Sequence, residues 1–180
     1  MNQVHKKDII VLSKESFPDP DIIPEADAII TNVPKIAIMV KQADCQGIIL
    51  FDPVKTAAAV IHCGWKGNRC NIPGAVVRRM KLEFGCSGSD IIAAIGPSLG
   101  PCCGEFTTYK DIFPEDFERF MVRKNYFDLW KLSRWQLMKE GLKNENIETA
   151  GICTRCNSNM FFSYRAEGVT GRFATVAMLS

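Results

Sequence analysis

The segment Thr56-Ala-Ala-Ala-Val-Ile-His62 gives the clearest indication of the fold. Its run of small and β-branched apolar residues predicts a buried strand, which delivers its last side chain, His62, to the loop that follows. Gly64-Trp-Lys-Gly67 comes next and predicts a turn flanked by glycines. Strand ends that lead into such turns commonly display reactive side chains, and glycines let backbone amides approach a ligand.

Strands and helices interleave irregularly on both sides of this segment. Helical spacing of apolar residues, with Pro73 at the start and Gly85 at the end, predicts a helix over residues 72–84. A second helix is predicted over residues 128–140. Further strands are predicted over residues 7–12, 28–31, 36–40, 47–51, 90–95, 150–153, 160–164 and 173–179. This order indicates an α/β fold of the α+β mixed kind, with a mixed sheet and flanking helices.

Composition excludes several classes of protein. The 180 residues fit one domain spanning 1–180, and 47% of them are apolar. The net charge of +2 predicts no nucleic-acid partner, and no apolar run is long enough for a membrane span. The N-terminus is polar without an apolar signal core, so we expect a cytoplasmic protein whose eight cysteines are free thiols.

Two histidines, His5 and His62, are present in the whole sequence. A lone histidine is usually a structural residue, but His62 ends a buried strand beside a glycine turn, which makes it a candidate catalytic residue or metal ligand. Trp65 in that turn is a candidate for stacking on an aromatic substrate ring, or it simply packs.

Cysteines form two further motifs. Gly96-Pro-Ser-Leu-Gly-Pro-Cys-Cys103 predicts a strand ending in a turn that presents adjacent thiols. Vicinal side chains point to opposite sides of an extended backbone, so we expect one of the two to be functional and the other buried. Cys153-Thr-Arg-Cys156 has the spacing of a metal or redox motif, but a zinc site usually needs two such pairs.

Three charged residues complete the candidates. Asp44, after a predicted strand, could supply a carboxylate, or it is only a turn residue. Arg165 and Arg172 lie in a short C-terminal stretch, and the guanidinium fork suits phosphate or carboxylate. Surface salt bridges would explain the two arginines equally well.

These motifs occur together in an order that resembles the laccase-domain family, also called the multicopper polyphenol oxidoreductase or YfiH family. The resemblance covers the whole chain. It rests on Gln3-Val-His5, Ala26-Asp-Ala28 with Thr31, Ala43-Asp-Cys45, His62-Cys-Gly-Trp-Lys-Gly67, Gly96-Pro-Ser-Leu-Gly-Pro-Cys-Cys103, Cys153-Thr154, Phe161-Phe-Ser-Tyr-Arg165 and Thr170-Gly-Arg172.

The resemblance implies mixed sheets packed together with helices outside, and a metal site of two histidines and one cysteine. His62 matches the first histidine of that site and Cys102 matches its cysteine. It also implies purine nucleoside phosphorylase activity, with adenosine deaminase or copper-dependent polyphenol oxidase activity as described for members.

This sequence departs from the family pattern in two places. The resemblance implies an extra N-terminal stretch before Gln3-Val-His5 that is absent here. The family's second histidine would fall near Arg119, and no histidine follows His62. The third ligand is then missing, or it is supplied by one of four other residues: His5, Glu115, Asp116 or Glu118.

The leading hypothesis is a purine nucleoside phosphorylase that binds a nucleoside and phosphate, with metal-dependent deamination as a second activity. In this reading His62, Cys102 and Asp44 are catalytic, zinc or alternatively copper binds His62 and Cys102, and substrate contacts fall to His5, Trp65, Arg165 and Arg172. One alternative is a degenerate member that binds a nucleotide or a partner without catalysis. Another is polyphenol oxidation, although several coppers need more than two histidines.

Overall fold

The computed structural model describes residues 1–14, 21 and 23–180. The strands are β1 (Ile9–Leu12), β2 (Ala28–Thr31), β3 (Ala37–Gln42), β4 (Gln46–Asp52), β5 (Ala57–Cys63), β6 (Ile92–Ile95), β7 (Met121–Arg123), β8 (Tyr126–Phe127), β9 (Ile147–Thr149) and β10 (Phe173–Met178). The α-helices are α1 (Trp65–Arg69), α2 (Ile72–Phe84), α3 (Tyr109–Ile112), α4 (Leu129–Lys139) and α5 (Tyr164–Glu167), with 3₁₀ helices at Glu115–Phe120 and Asn144–Asn146. Within these ranges, no helix is long and apolar enough to cross a membrane.

Six of the described strands form the main sheet, in the order β1-β2-β5-β4-β6-β9. The outer pairs β1–β2 and β6–β9 are parallel, and the inner pairs are antiparallel. Strands β3 and β10 form a separate antiparallel ribbon. The expected α/β architecture of mixed sheets with flanking helices is therefore confirmed.

Strand β5 lies inside the main sheet and is buried along its whole length. On one face Val60 packs with Ile38 and Val40 of β3. On the other face Ile61 belongs to the core cluster that contains Met80 of α2. Burying an aliphatic side chain of this size stabilises a fold by about 1.5–3 kcal/mol, so both layers hold β5 in place.

Helix α2 has the bounds that the sequence predicts. The Asn71 side chain accepts a hydrogen bond from the Gly74 N–H at 3.1 Å, and Pro73 lies in the first turn. Gly85 ends the helix with a φ of 66°, a left-handed conformation that glycine adopts without strain.

Three local predictions are wrong. The Gly64–Gly67 segment is not an open turn, because Trp65–Arg69 forms helix α1. Residues 150–153 and 160–164 are not strands. The Asn157 N–H donates to the Cys153 carbonyl, and the Ser163 hydroxyl accepts from the Ala166 N–H at the start of α5. Such local bonds compete with strand pairing.

Candidate active site

His5, Cys45 and His62 meet in one place, which we call the imidazole–thiol group. One ring nitrogen of each histidine and the Cys45 sulfur all lie within 4.8 Å of one another. Strand register explains the meeting of two of them: β4 and β5 are antiparallel with Gly47 opposite His62, so Cys45, just before β4, reaches the end of β5. The two imidazole rings stand edge to face, 4.7 Å apart between centroids.

Asp27 holds His62 and the N-terminal segment in place within this group. Its carboxylate is fully buried and lies 2.8 Å from Nδ1 of His62. It also accepts hydrogen bonds from the backbone N–H groups of His5, at 3.0 Å, and Lys6, at 2.7 Å. His5 has a φ of 57°, so the N-terminal segment turns tightly around the carboxylate. Sequence reasoning missed this role, although the Ala26-Asp-Ala28 motif contained the signal.

Electrostatics favour an ion pair within the imidazole–thiol group. Burial raises the pKa of the Cys45 thiol, but hydrogen bonds with His5 and His62 outweigh burial and lower it to about 7. Burial lowers the pKa of His62, but the contacts with Asp27 and Cys45 outweigh it and raise the pKa to about 9. At neutral pH, His62 is therefore an imidazolium beside a thiol that is partly ionised.

Gly64 is required by the close approach of these side chains. A Cβ at this position would lie 2.7 Å from the Cys45 sulfur and 3.8 Å from Cδ2 of His5. Carbon and sulfur atoms do not approach so closely without displacement. The glycine that the sequence suggests for ligand access thus makes room for Cys45.

The imidazole–thiol group lines a cavity of about 600 Å³. This volume suits a small molecule such as a nucleoside. The walls also include Lys41, Gln42, Asp44, Gln46, Trp65, Lys66, Leu99, Phe106, Leu129, Tyr164, Arg165 and Arg172. The structure therefore brings together six sequence-selected residues: His5, Asp44, His62, Trp65, Arg165 and Arg172.

Asp44 joins the cavity wall to the C-terminal segment. It accepts hydrogen bonds from the hydroxyls of Thr154 and Ser163, both at 2.7 Å, and from the Arg165 N–H at 2.6 Å. Its φ of 78° is left-handed. With both carboxylate oxygens engaged, Asp44 is arranged to position neighbouring residues.

Cys102 does not join His62, contrary to the expected pairing. Its thiol lies 3.6 Å from that of Cys156, in a second set that we call the four-cysteine group: Cys102, Cys103, Cys153 and Cys156. The vicinal thiols both face this group because the chain turns at residues 101–103 and is not extended. The cysteine beside His62 is Cys45, a residue of the Ala43-Asp-Cys45 motif for which the sequence predicts no role.

The segment expected to hold the family's second histidine does not reach the cavity. Arg119 stacks on the Trp135 ring at 4.0 Å from its centroid. Among the described residues, Arg119 and its three acidic neighbours, Glu115, Asp116 and Glu118, are absent from the cavity wall. The second imidazole beside His62 comes from His5, one of the alternatives that the sequence left open.

The imidazole–thiol group fits a metal ion by its donors. Two imidazoles and one thiolate suit zinc, whose catalytic sites keep three protein ligands and one open position. Nδ1 of His62 is engaged by Asp27, which leaves Nε2 as the donor toward the group, and such carboxylate–histidine pairs are common around metals.

The chain is similar to several known proteins. It is 34% identical over 177 residues to purine nucleoside phosphorylase LACC1 of Mus musculus, covering 92% of this chain and 39% of that protein. It is 32% identical over 180 residues to a purine nucleoside phosphorylase of Bacteroides thetaiotaomicron, covering 93% of this chain and 66% of that protein. The chain thus spans only about two fifths to two thirds of these relatives' lengths.

Solved structures agree with the fold. The crystal structure of the hypothetical protein YfiH of Bacillus licheniformis superposes with a TM-score of 0.86 at 26% identity, covering 99% of this chain and 72% of that one. YlmD of Geobacillus stearothermophilus gives a TM-score of 0.85 at 27% identity with the same coverages. The family model described as multi-copper polyphenol oxidoreductase laccase matches residues 1–180, so the chain belongs to this family.

Proposed function

We propose that the chain is a purine nucleoside phosphorylase. The observation that carries the proposal is the cavity of about 600 Å³ that has the imidazole–thiol group on its wall together with Arg165 and Arg172. Phosphorolysis needs a phosphate site, a base site and a group that stabilises departing charge. The names of the similar mouse and bacterial proteins support the same activity.

In phosphorolysis, an oxygen of phosphate forms a bond to the anomeric carbon while the bond from that carbon to the purine nitrogen breaks. The electron pair leaves with the purine, which takes up a proton. Arg165 and Arg172 supply the charge and the forked donors for phosphate. An imidazolium at His62, whose pKa is raised to about 9, can hold the proton and offset the departing charge.

The cavity wall also offers contacts for a purine. Trp65 presents an indole ring suitable for stacking. The Gln46 amide N–H₂ donates to Asn68 and to the Leu129 carbonyl, which fixes the amide orientation. Its Oε1 is buried without a hydrogen-bond partner, and an unpaired buried acceptor is costly.

Adenosine deamination is a second candidate, favoured by the three clustered donor atoms of the imidazole–thiol group. Zinc or copper held by His5, Cys45 and His62 would supply a water acidic enough to attack near neutral pH. Cys102 drops out of this proposed ligand set because its sulfur belongs to the four-cysteine group.

The test is a set of parallel assays on the purified protein. Inosine, guanosine and adenosine are each incubated with phosphate, and free base, ribose 1-phosphate and ammonia are measured. We expect base and ribose 1-phosphate in equal amounts, strictly dependent on phosphate. Arg165→Ala should raise KM for phosphate, whereas Arg79→Ala, on a surface pair with Glu83, should leave it unchanged.

Other outcomes would overturn the proposal. Ammonia from adenosine without phosphorolysis would assign the site to deamination. Nucleoside binding without turnover would indicate a non-catalytic member, and oxidation of a phenol after copper loading would indicate a polyphenol oxidase.

A further inference from the structure

A second potential metal site lies outside the cavity, at the four-cysteine group. The sulfurs of Cys102, Cys103, Cys153 and Cys156 all lie within 4.8 Å of one another. Cys156 is 3.6 Å from Cys102 and 3.5 Å from Cys103. Four sulfurs at about 2.3 Å from a tetrahedral zinc ion would stand about 3.8 Å apart, so these spacings are compatible with a zinc tetrathiolate.

The backbone holds the two cysteine pairs against each other. Ser98, after β6, forms a β-bridge with Cys153, and the Thr154 N–H donates to the Ser98 carbonyl at 3.0 Å. The Gly100 N–H donates to the Cys153 sulfur at 3.3 Å. N–H donors to sulfur are suited to a ligand that carries negative charge.

The absence of a side chain at Gly100 lets the two cysteine pairs approach each other. A Cβ at this position would lie 2.9 Å from Cβ of Cys153 and 3.3 Å from the Cys102 sulfur. Burial does not explain the arrangement, because Cys102 and Cys156 are exposed. Nor do the distances single out one disulfide, since Cys156 is equally near two different cysteines.

We propose that Cys102, Cys103, Cys153 and Cys156 bind one zinc ion as a closed, structural tetrathiolate site. One half of the site follows β6 and the other follows β9, so the metal would tie together two turns far apart in sequence. The second turn carries Thr154, whose hydroxyl donates to Asp44 on the cavity wall. The zinc ion therefore braces that wall without taking part in catalysis, and the proposal does not depend on the proposed function.

The test begins in a background that lacks the cavity donors, the double variant Cys45→Ser with His62→Gln. Protein produced with zinc is analysed for metal content and by X-ray absorption at the zinc edge. We expect one zinc per chain with a shell of sulfur alone at about 2.3 Å. A shell containing nitrogen, or no zinc, would overturn the proposal.

Single substitutions then locate the site. In that background, Cys103→Ser and Cys156→Ser should each weaken zinc binding by more than the 10–100-fold that outer contacts typically control. Cys70→Ser is the matched control, since Cys70 is exposed and belongs to neither group. Equal zinc affinity in all three variants would contradict the assignment.

A measurement on the unmodified protein remains decisive if a variant fails to fold. The native, zinc-loaded protein is alkylated with and without a strong chelator, and the labelled cysteines are identified by mass spectrometry. Exposed Cys102 and Cys156 should stay unlabelled until the chelator is added. Labelling before chelation, or a disulfide between any two of the four, would show that zinc is not bound there.

Discussion

The imidazole–thiol group and the four-cysteine group place cysteine sulfur in opposite electrostatic surroundings. Contacts with His5 and His62 lower the pKa of Cys45 to about 7 despite its burial. Partial desolvation of the sulfur and hydrogen bonds with the neighbouring thiols raise the pKa of the Cys102 thiol, although the residue is exposed. Histidines thus prepare one sulfur for chemistry in the absence of metal, whereas crowded thiols need a cation before they can ionise together.

The two groups also differ in their openness. The imidazole–thiol group offers three donors on the wall of a cavity, and the four-cysteine group offers four donors to a single centre. Three ligands with an open position are typical of catalytic zinc, and four are typical of structural zinc. Under the two proposals, ligand number, and not the presence of cysteine, distinguishes the catalytic site from the structural site.

The largest expected effect tests which group performs catalysis. His62→Gln should lower kcat/KM for phosphorolysis on the order of 10²–10⁴-fold, the usual contribution of a proton-transfer group. Cys102→Ser should leave kcat/KM within a few fold while lowering the temperature of unfolding. Steady-state kinetics and thermal unfolding of both variants measure this, and the reverse pattern would restore Cys102 to the active site.

A smaller effect is expected at Asp27, which acts through His62. Asp27→Asn removes the carboxylate that raises the pKa of His62, so activity should fall on the order of 10–100-fold. The basic limb of the pH–rate profile should move to lower pH, which a purely structural defect would not cause. Asp111→Asn, at an exposed position, is the control. An unchanged profile would show that Asp27 only supports the fold.

Alkylation compares the two kinds of thiol directly. In metal-free protein at neutral pH, iodoacetamide should label Cys45 on the order of 10-fold faster than Cys102, because the thiolate is the reacting form. Exposure alone predicts the opposite, since Cys102 is exposed and Cys45 is only partly so. Timed labelling followed by mass spectrometry distinguishes the two, and faster labelling of Cys102 would refute the pKa argument.

The smallest effect concerns stability and pH in the metal-free protein. The pKa of His62 is raised from 6.5 to about 9, so its contribution is complete below pH 6.5 and is lost as pH rises through 9. The pKa of Cys45 is lowered from 9.0 to about 7, so its contribution is present above pH 9 and is lost as pH falls through 7. Between these values the two slopes oppose each other, and the wild-type free energy of unfolding should be nearly flat.

Cys45→Ser removes the contribution of Cys45, so that only the pH dependence of stability contributed by His62 remains. Its free energy of unfolding, measured with urea from about pH 6.5 to 8.5, should fall with rising pH by on the order of 1 kcal/mol relative to the wild type. Parallel curves for the two proteins would mean that no ion pair forms in the group.

Several of the elements and several parts of the site can be predicted from the sequence alone. The apolar run that ends at His62 gives β5, and Asn71, Pro73 and Gly85 bound helix α2, because strand burial and helix caps are local in sequence. The ordered motifs also indicated the family. Each of these signals depends on side-chain pattern and backbone conformation within a few residues.

Which residues meet depends on the tertiary structure. The register of β4 against β5 brings Cys45 to His62, and the bridge between Ser98 and Cys153 joins the two cysteine pairs. Strand order depends on packing between segments that lie far apart along the chain, and the pattern within one strand shows which side chains are buried but not which strand it pairs with. For the same reason, the isolated Cys153–Cys156 pair of the sequence is half of a four-cysteine group in the fold.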